Sequence, residues 1–174
     1  MFPTKAIPAL AFLSISLVLT SATGCSSGSR EVTAQDLIHK GNRCYSGVWV
    51  PRDVERAAEY YRKAAEYGDP DAQYLVGRCY DSGIGLPKND LEAATWYSRA
   101  ARGGNAEAQY RLGLAYERGT GIGKNLLQSY LWLNRAASSG MEKAASSRDA
   151  LGCRMTPSEV SRAQRLSLTE EPKK

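Results

Sequence analysis

The chain has 174 residues, of which 24% are charged, with a formal net charge of +5, one histidine and four cysteines. This length is sufficient for one domain with a sizeable core. The basic surplus is modest and contains no long run of like charges, which argues against nucleic acid as a partner. The few histidines and cysteines argue against a protein-built catalytic metal site, and no cofactor is expected.

Residues 1–24 have the organisation of a bacterial export signal: one lysine, a 14-residue apolar run and then small residues. The apolar run is shorter than the ~20 residues that a membrane-spanning helix needs. The following segment, Ala22-Thr23-Gly24-Cys25, resembles a lipoprotein lipobox, although Ala22 stands where that pattern prefers leucine. It predicts a lipid on Cys25, and Ser26 resembles the residue typical of outer-membrane sorting, so we expect an outer-membrane lipoprotein facing the periplasm. The alternative is an ordinary secretory signal that leaves Cys25 as a free thiol in a periplasmic or secreted protein.

Residues 25–34 are rich in serine and glycine at their start and are predicted to form a flexible tether. The chain then contains a 36-residue unit twice, at 54–89 and 90–125, with 15 identical positions. A fixed period of roughly 20–50 residues indicates a stacked-repeat architecture, in which one unit buries its apolar face only against its neighbours. The shared residues in the first copy are Ala57, Ala58, Tyr61, Ala64, Ala65, Gly68, Ala72, Gln73, Tyr74, Gly77, Tyr80, Gly83, Gly85, Lys88 and Asn89.

Each unit is predicted to contain two helices, called the first and the second helix below. The first helix is indicated by small residues and tyrosine at helical spacing, and Gly68 ends it because glycine readily adopts a positive φ. Asp69 is expected to cap the second helix. Gly77 marks a place where another helix passes close, and Gly83 and Gly85 predict the turn to the next unit.

Both ends of the array depart from the repeat. Residues 35–53 form a half unit that acts as an N-terminal cap, and residues 126–168 hold a third unit and a closing helix. Thr156 and Glu159 have the spacing of a capping box at the start of that closing helix. Atypical terminal units are what a solenoid needs to close its ends. Residues 169–174 are expected to be a disordered tail.

The pattern that begins at Tyr61, Ala64 and Ala65 and recurs from Tyr97 resembles the Sel1-like (Sel-one-like) repeat, a relative of the tetratricopeptide repeat. The resemblance covers about residues 35–168. It implies an all-α, right-handed α/α superhelix that binds a protein or peptide through its concave face, as a scaffold or adaptor. The chain lacks the cysteine pairs within a repeat of the cysteine-rich exported members, so their disulfide pattern does not carry over.

The cysteines inside the array leave two interpretations open. Cys44 and Cys79 are 35 residues apart and would lie on corresponding second helices, close enough for a disulfide bridge. Alternatively, Cys79 is a small buried hydrophobic residue, since its counterpart in the next unit is Ala115. The sequence does not decide the connectivity.

Enzymatic activity is not expected. A hydrolase acting on cell-wall material, of the β-lactamase-like kind, is the alternative class, but no serine is followed three residues later by lysine and no Lys-Thr-Gly occurs. His39 has no nucleophile or orienting partner in the pattern and is interpreted as a helix-surface or packing residue.

Two sets of side chains recur at one repeat position each. Lys63, Arg99 and Arg135 are 36 residues apart on successive first helices and would form a positive ladder for an acidic segment of a partner. The alternative is that they are ordinary solvated positions. The second set is Tyr60, Trp96 and Trp132, interpreted as inter-repeat packing residues or otherwise as aromatic anchors for a ligand.

Overall fold

The computed structural model describes residues 32–169, and this part of the chain contains eight α-helices and no strand. The predicted all-α repeat superhelix is therefore confirmed. The predictions for the export signal over 1–24, for lipid on Cys25 and for residues 170–174 lie outside the described residues. The helices are α1 Ala34–Ser46, α2 Val54–Glu66, α3 Pro70–Ser82, α4 Asp90–Arg102, α5 Ala106–Arg118, α6 Leu126–Ser138, α7 Glu142–Gly152 and α8 Pro157–Thr169.

Helices α1 to α7 pack in chain order, each against its neighbours in sequence. The first helices are α2, α4 and α6, and the second helices are α1, α3, α5 and α7. Each of α1, α3 and α5 packs most extensively on the first helix that follows it, and α8 folds back onto α6. Within residues 32–169, no helix combines the length and the apolar character needed to cross a membrane.

The first and the last helix each begin with a capping box. At the N-terminus, Thr33 Oγ1 accepts from the Asp36 N–H at 3.2 Å, and the Asp36 carboxylate accepts from the Thr33 N–H at 3.1 Å. Because of this box α1 begins at Ala34, a residue that the sequence interpretation assigned to the tether. At the other end, the predicted box of Thr156 and Glu159 is confirmed, and its hydrogen bonds lower the pKa of Glu159.

The glycines act as predicted. Gly68 follows α2 with φ 80°, and Gly83 and Gly85 have φ 70° and 76° in the turn after α3. Gly77 lies under the ring of Tyr97, and a Cβ on Gly77 would stand 2.7 Å from Tyr97 Cδ1. Glycine at this position therefore allows α4 to approach α3 closely.

The interior combines many alanines with buried tyrosines whose hydroxyl groups reach polar partners. Tyr61 donates to Asn42 Oδ1 at 2.8 Å, and Tyr97 donates to Asp81 Oδ2 at 3.0 Å. Burial raises the pKa of Tyr61 to about 12. Burial, together with the negative charge of Asp81, raises the pKa of Tyr97 as well. Both tyrosines are thus held in the neutral, hydrogen-bonding form.

These raised pKa values predict alkaline instability. In the unfolded chain a tyrosine ionises near its ordinary pKa of about 10, whereas Tyr61 and Tyr97 stay neutral in the folded protein at that pH. Their contribution to stability is therefore complete below pH ~10 and falls as the pH rises toward about 12. Urea denaturation between pH 9 and 12 should show this decline, and Tyr61→Phe/Tyr97→Phe should reduce its slope. A double variant with the wild-type slope would contradict the argument, and exposed Tyr67→Phe serves as the matched control.

Candidate binding surface on the first helices

Lys63, Arg99 and Arg135 occupy the same position on three successive first helices, and together they are called the basic strip. Each is the tenth residue of a 13-residue helix, which is why the 36-residue period places them in register. Each lies in the last turn, where a cation also interacts favourably with the helix dipole. The side chains of Lys63 and Arg99 are exposed, and that of Arg135 is half-buried.

Two of the three cations stack on the aromatic residue one helical turn earlier. The guanidinium carbon of Arg99 lies 4.7 Å from the ring centroid of Trp96, and that of Arg135 lies 4.7 Å from the ring centroid of Trp132. Such contacts contribute about 0.5–1 kcal/mol at exposed sites. They also restrict the long arginine side chains, so that less conformational entropy is lost when a ligand binds.

The aromatic residues of this face pack on the unit that precedes them. Trp132 is 9% exposed and lies in the core cluster that contains Ala100 and Leu112. Trp96 and Tyr60 are half-buried and pack against the core of the first unit. Their rings therefore serve inter-repeat packing, and only part of each is left for contact with a ligand.

Two cations on the second helices are paired with carboxylates. Arg111 lies 3.8 Å from Asp81 and 3.9 Å from Glu107, and Lys143 lies 2.9 Å from Glu107. Lys63 and Arg99, by contrast, form no ion pair with any residue between 32 and 169. The two cations of the first helices are thus unpaired within this range, whereas Arg111 and Lys143 are not.

A groove of about 420 Å³ opens beside the last residue of the basic strip. It lies between α4, α5 and α6, is bounded by Ser167 of α8, and includes Trp132 and Arg135. Gln109 lines it and is only 8% exposed. Its Nε2 donates to the Ala101 carbonyl at 3.2 Å, whereas its Oε1 has no hydrogen-bond partner within the described chain. Gln109 thus keeps a buried, unsatisfied acceptor behind the wall of a groove whose volume lies within the range of small-ligand sites.

Cys44, Cys79 and Cys153 are free thiols in this structure, which agrees with the interpretation of Cys79 as a small buried hydrophobic residue. The spacing of 35 is one residue short of the period, and one residue turns a side chain by about 100° around a helix. Cys79 consequently lies in the core at 6% exposure, while Cys44 lines a surface groove with Tyr60. Burial raises the pKa of the Cys79 thiol, which keeps it protonated and unreactive.

The residues considered for catalysis are not assembled into a site. His39 is exposed on α1. In the part of the chain that the structure describes, no group of three histidine, cysteine, aspartate or glutamate side chains could hold a metal ion.

Side-chain hydrogen bonds between neighbouring units were not predicted from the sequence. Asn105 donates to Asp71 Oδ1 at 2.7 Å, and Lys143 donates to Glu107 at 2.9 Å. The partners are 34 and 36 residues apart, close to one period. A search for complementary side chains at that separation would have found them.

These features define an α/α repeat solenoid. The Sel1 repeat family model matches residues 41–69, 70–105 and 106–141, which together make up more than half of the chain. The chain belongs to the Sel1 repeat family. Sel1 repeat proteins are generally scaffolds for protein interaction.

Three solved structures illustrate the similarity. A Sel1 repeat protein from Oxalobacter formigenes is 31% identical with a TM-score of 0.67, over 71% of this chain and 51% of that protein. The protective antigen c5321 of uropathogenic Escherichia coli is 28% identical with a TM-score of 0.71, over 77% of this chain and 29% of that one. Cysteine-rich protein B of Helicobacter pylori shares the fold at 23% identity and a TM-score of 0.56, over 65% and 87%.

The chain thus spans about half the length of the first of these proteins and under a third of the second. No significant match is found among the curated proteins.

Proposed function

We propose that this chain is a non-catalytic scaffold of the bacterial cell envelope that binds a protein or peptide through the face formed by its first helices. The basic strip is its contact for an acidic segment of that partner. One observation carries the proposal: Lys63 and Arg99 repeat in register without an ion pair, whereas Arg111 and Lys143 on the second helices are neutralised. A solenoid presents such a repeated surface along its concave side.

The envelope location rests on the sequence. The export signal over 1–24 and the lipobox that ends at Cys25 support a lipid anchor in the outer membrane, with the repeats facing the periplasm.

Affinity for an acidic segment would not come from the strip alone. Exposed ion pairs contribute about 0.2–1 kcal/mol each, and their main effects are on association rate and orientation. The groove beside Trp132 supplies further contact surface, since Trp132 and Asn134 line it. Arg135 lies in the same groove and can pair with a carboxylate.

Charge reversal of the strip tests the proposal. We expect Lys63→Glu/Arg99→Glu/Arg135→Glu to weaken partner binding by roughly 10–100-fold at low ionic strength, because three attractive contacts become repulsive. The measurement is affinity capture of a partner from envelope extract, followed by titration of the captured partner with the full chain.

The repeat itself supplies a matched control for that variant. Arg52, Lys88 and Lys124 are exposed, also recur every 36 residues, and lie in the turns before the first helices. Arg52→Glu/Lys88→Glu/Lys124→Glu changes the net charge by the same amount on another part of the surface. Undiminished capture by the strip variant, or equal loss in both variants, would rule out the basic strip as the contact.

A further inference from the structure

The N-terminal edge of the solenoid carries a second groove, separate from the basic strip. It has a volume of about 450 Å³ and lies between α1, the turn that follows it and the start of α2. We call it the end groove. Its floor and rim include Lys40, Arg43, Cys44, Val50, Arg56 and Tyr60.

The residues of the end groove have counterparts one period later in the chain. There the corresponding surface is covered by a helix. One period later, the corresponding floor residues are Val76, Cys79, Tyr80, Leu86 and Trp96. All five belong to or pack against the core cluster that contains Ala57, Ala58 and Ala64 of α2. Helix α2 therefore covers this corresponding surface. No helix within residues 32–169 covers the end groove itself.

Trp49 shows that the space above the groove is open. It occupies the position of Gly85 and Gly121 and has the same left-handed backbone, with φ 68°. At Gly85, a Cβ would collide with the backbone carbonyl of Val54 at the start of α2. Trp49 meets no such helix, and its side chain is 89% exposed next to Val50.

The residues around the groove carry more positive charge than those of the covered surface. Lys40 and Arg43 replace Val76 and Cys79, and Arg56 replaces Glu92. In the other direction, Asp53 replaces Asn89 and adds one negative charge; its Oδ1 caps α2 by accepting the Arg56 backbone N–H at 2.9 Å. An edge that only had to stay soluble could use charges of either sign and would not expose a tryptophan. Three cations around an apolar floor instead favour an occupant that is both apolar and acidic.

We propose that the end groove binds an acidic amphipathic helix of a partner protein, which stacks on α1 as an additional first helix. The helix places its apolar side on Tyr60, Val50 and Trp49, and its carboxylates face Lys40, Arg43 and Arg56. Residues 26–31 of this chain contain no apolar side chain and could not supply that surface. Helix α8 of a second copy would bring Arg162 and Arg165 toward a basic rim.

The test uses a synthetic helix as the probe. A fluorescein-labelled peptide with the sequence of residues 53–68, stapled to keep it helical, carries Arg56→Glu, Arg62→Glu and Lys63→Glu; the unchanged sequence is the control peptide. Titrated with the full chain at low ionic strength, the acidic peptide should bind about 10-fold more tightly than the control. Lys40→Glu/Arg43→Glu in the protein should weaken its binding by a similar factor, and Lys40→Gln/Arg43→Gln by less.

Several results would overturn the inference. The first is that the acidic peptide does not bind, and the second is that the two peptides bind equally well. The third is that the acidic peptide binds the Lys40→Glu/Arg43→Glu variant as tightly as it binds the wild type, when the melting temperature of that variant is also unaltered. The strip variant Lys63→Glu/Arg99→Glu/Arg135→Glu should bind the acidic peptide as the wild type does. Loss of binding in that variant instead would place the peptide on the basic strip and would likewise refute the end groove as the site.

Discussion

Replacing Gly121 with alanine is expected to destabilise the solenoid by about 3 kcal/mol or more. Gly121 has φ 68°, a conformation that costs an L-residue roughly 1–2 kcal/mol. In addition, a Cβ at this position would overlap the backbone carbonyl of Asp90 at the start of α4. A backbone atom cannot rotate aside as a side chain can, so relief requires α4 to move away from its neighbours. The melting temperature should fall by roughly 10 °C, measurable by circular dichroism.

Gly104 provides the matched control for the effect of the clash. It has an even larger positive φ of 92°, but no atom lies within 4 Å of the place that its Cβ would take. Gly104→Ala should therefore cost only the backbone term, roughly 1–2 kcal/mol. Urea denaturation of both variants separates the two contributions. Equal losses at Gly104 and Gly121 would show that the contact with Asp90 does not matter.

Much of the fold follows from the sequence because the array is governed by local, repeated constraints. Gly68, Gly83 and Gly85 are required by backbone geometry at fixed offsets, and the same offsets return 36 residues later. Each such constraint acts within a few residues along the chain or one unit away. Helix boundaries and stacking could therefore be inferred from a single sequence.

Less of the candidate site than of the fold could be predicted from the sequence. The period placed Lys63, Arg99 and Arg135 in register, but it could not show that Arg111, on a second helix, is paired with Asp81 and Glu107. That contrast depends on which side chains meet across units. The three-residue spacing of Trp96 and Arg99 does place both on one helix face and could have suggested their stacking. The sequence also left two interpretations of Cys44 and Cys79 open, because an offset of one residue changes the helix face.

Replacing Trp132 with alanine is the second change expected to have a large effect, a loss of about 3–5 kcal/mol in the free energy of unfolding. The indole is 9% exposed and packs on Ala100 and Leu112 of the preceding unit. Its removal leaves a cavity between α4, α5 and α6 that small neighbouring side chains cannot fill. Denaturant titration should show the loss, and Trp132→Ala with wild-type stability would contradict the packing role.

Arg135→Gln separates ligand contact from packing at the same place. The change removes the charge and the stacking of Arg135 on Trp132 but leaves the indole in the core, so the stability loss should be about 1 kcal/mol or less. Partner binding should nevertheless fall, since the charge faces the groove that contains Gln109. A loss of binding in Trp132→Ala would be explained by damage to the packing between repeats. A loss of binding in Arg135→Gln at near-normal stability instead identifies Arg135 as a contact for the partner. Arg135→Gln with unchanged affinity would exclude this end of the basic strip from the interface.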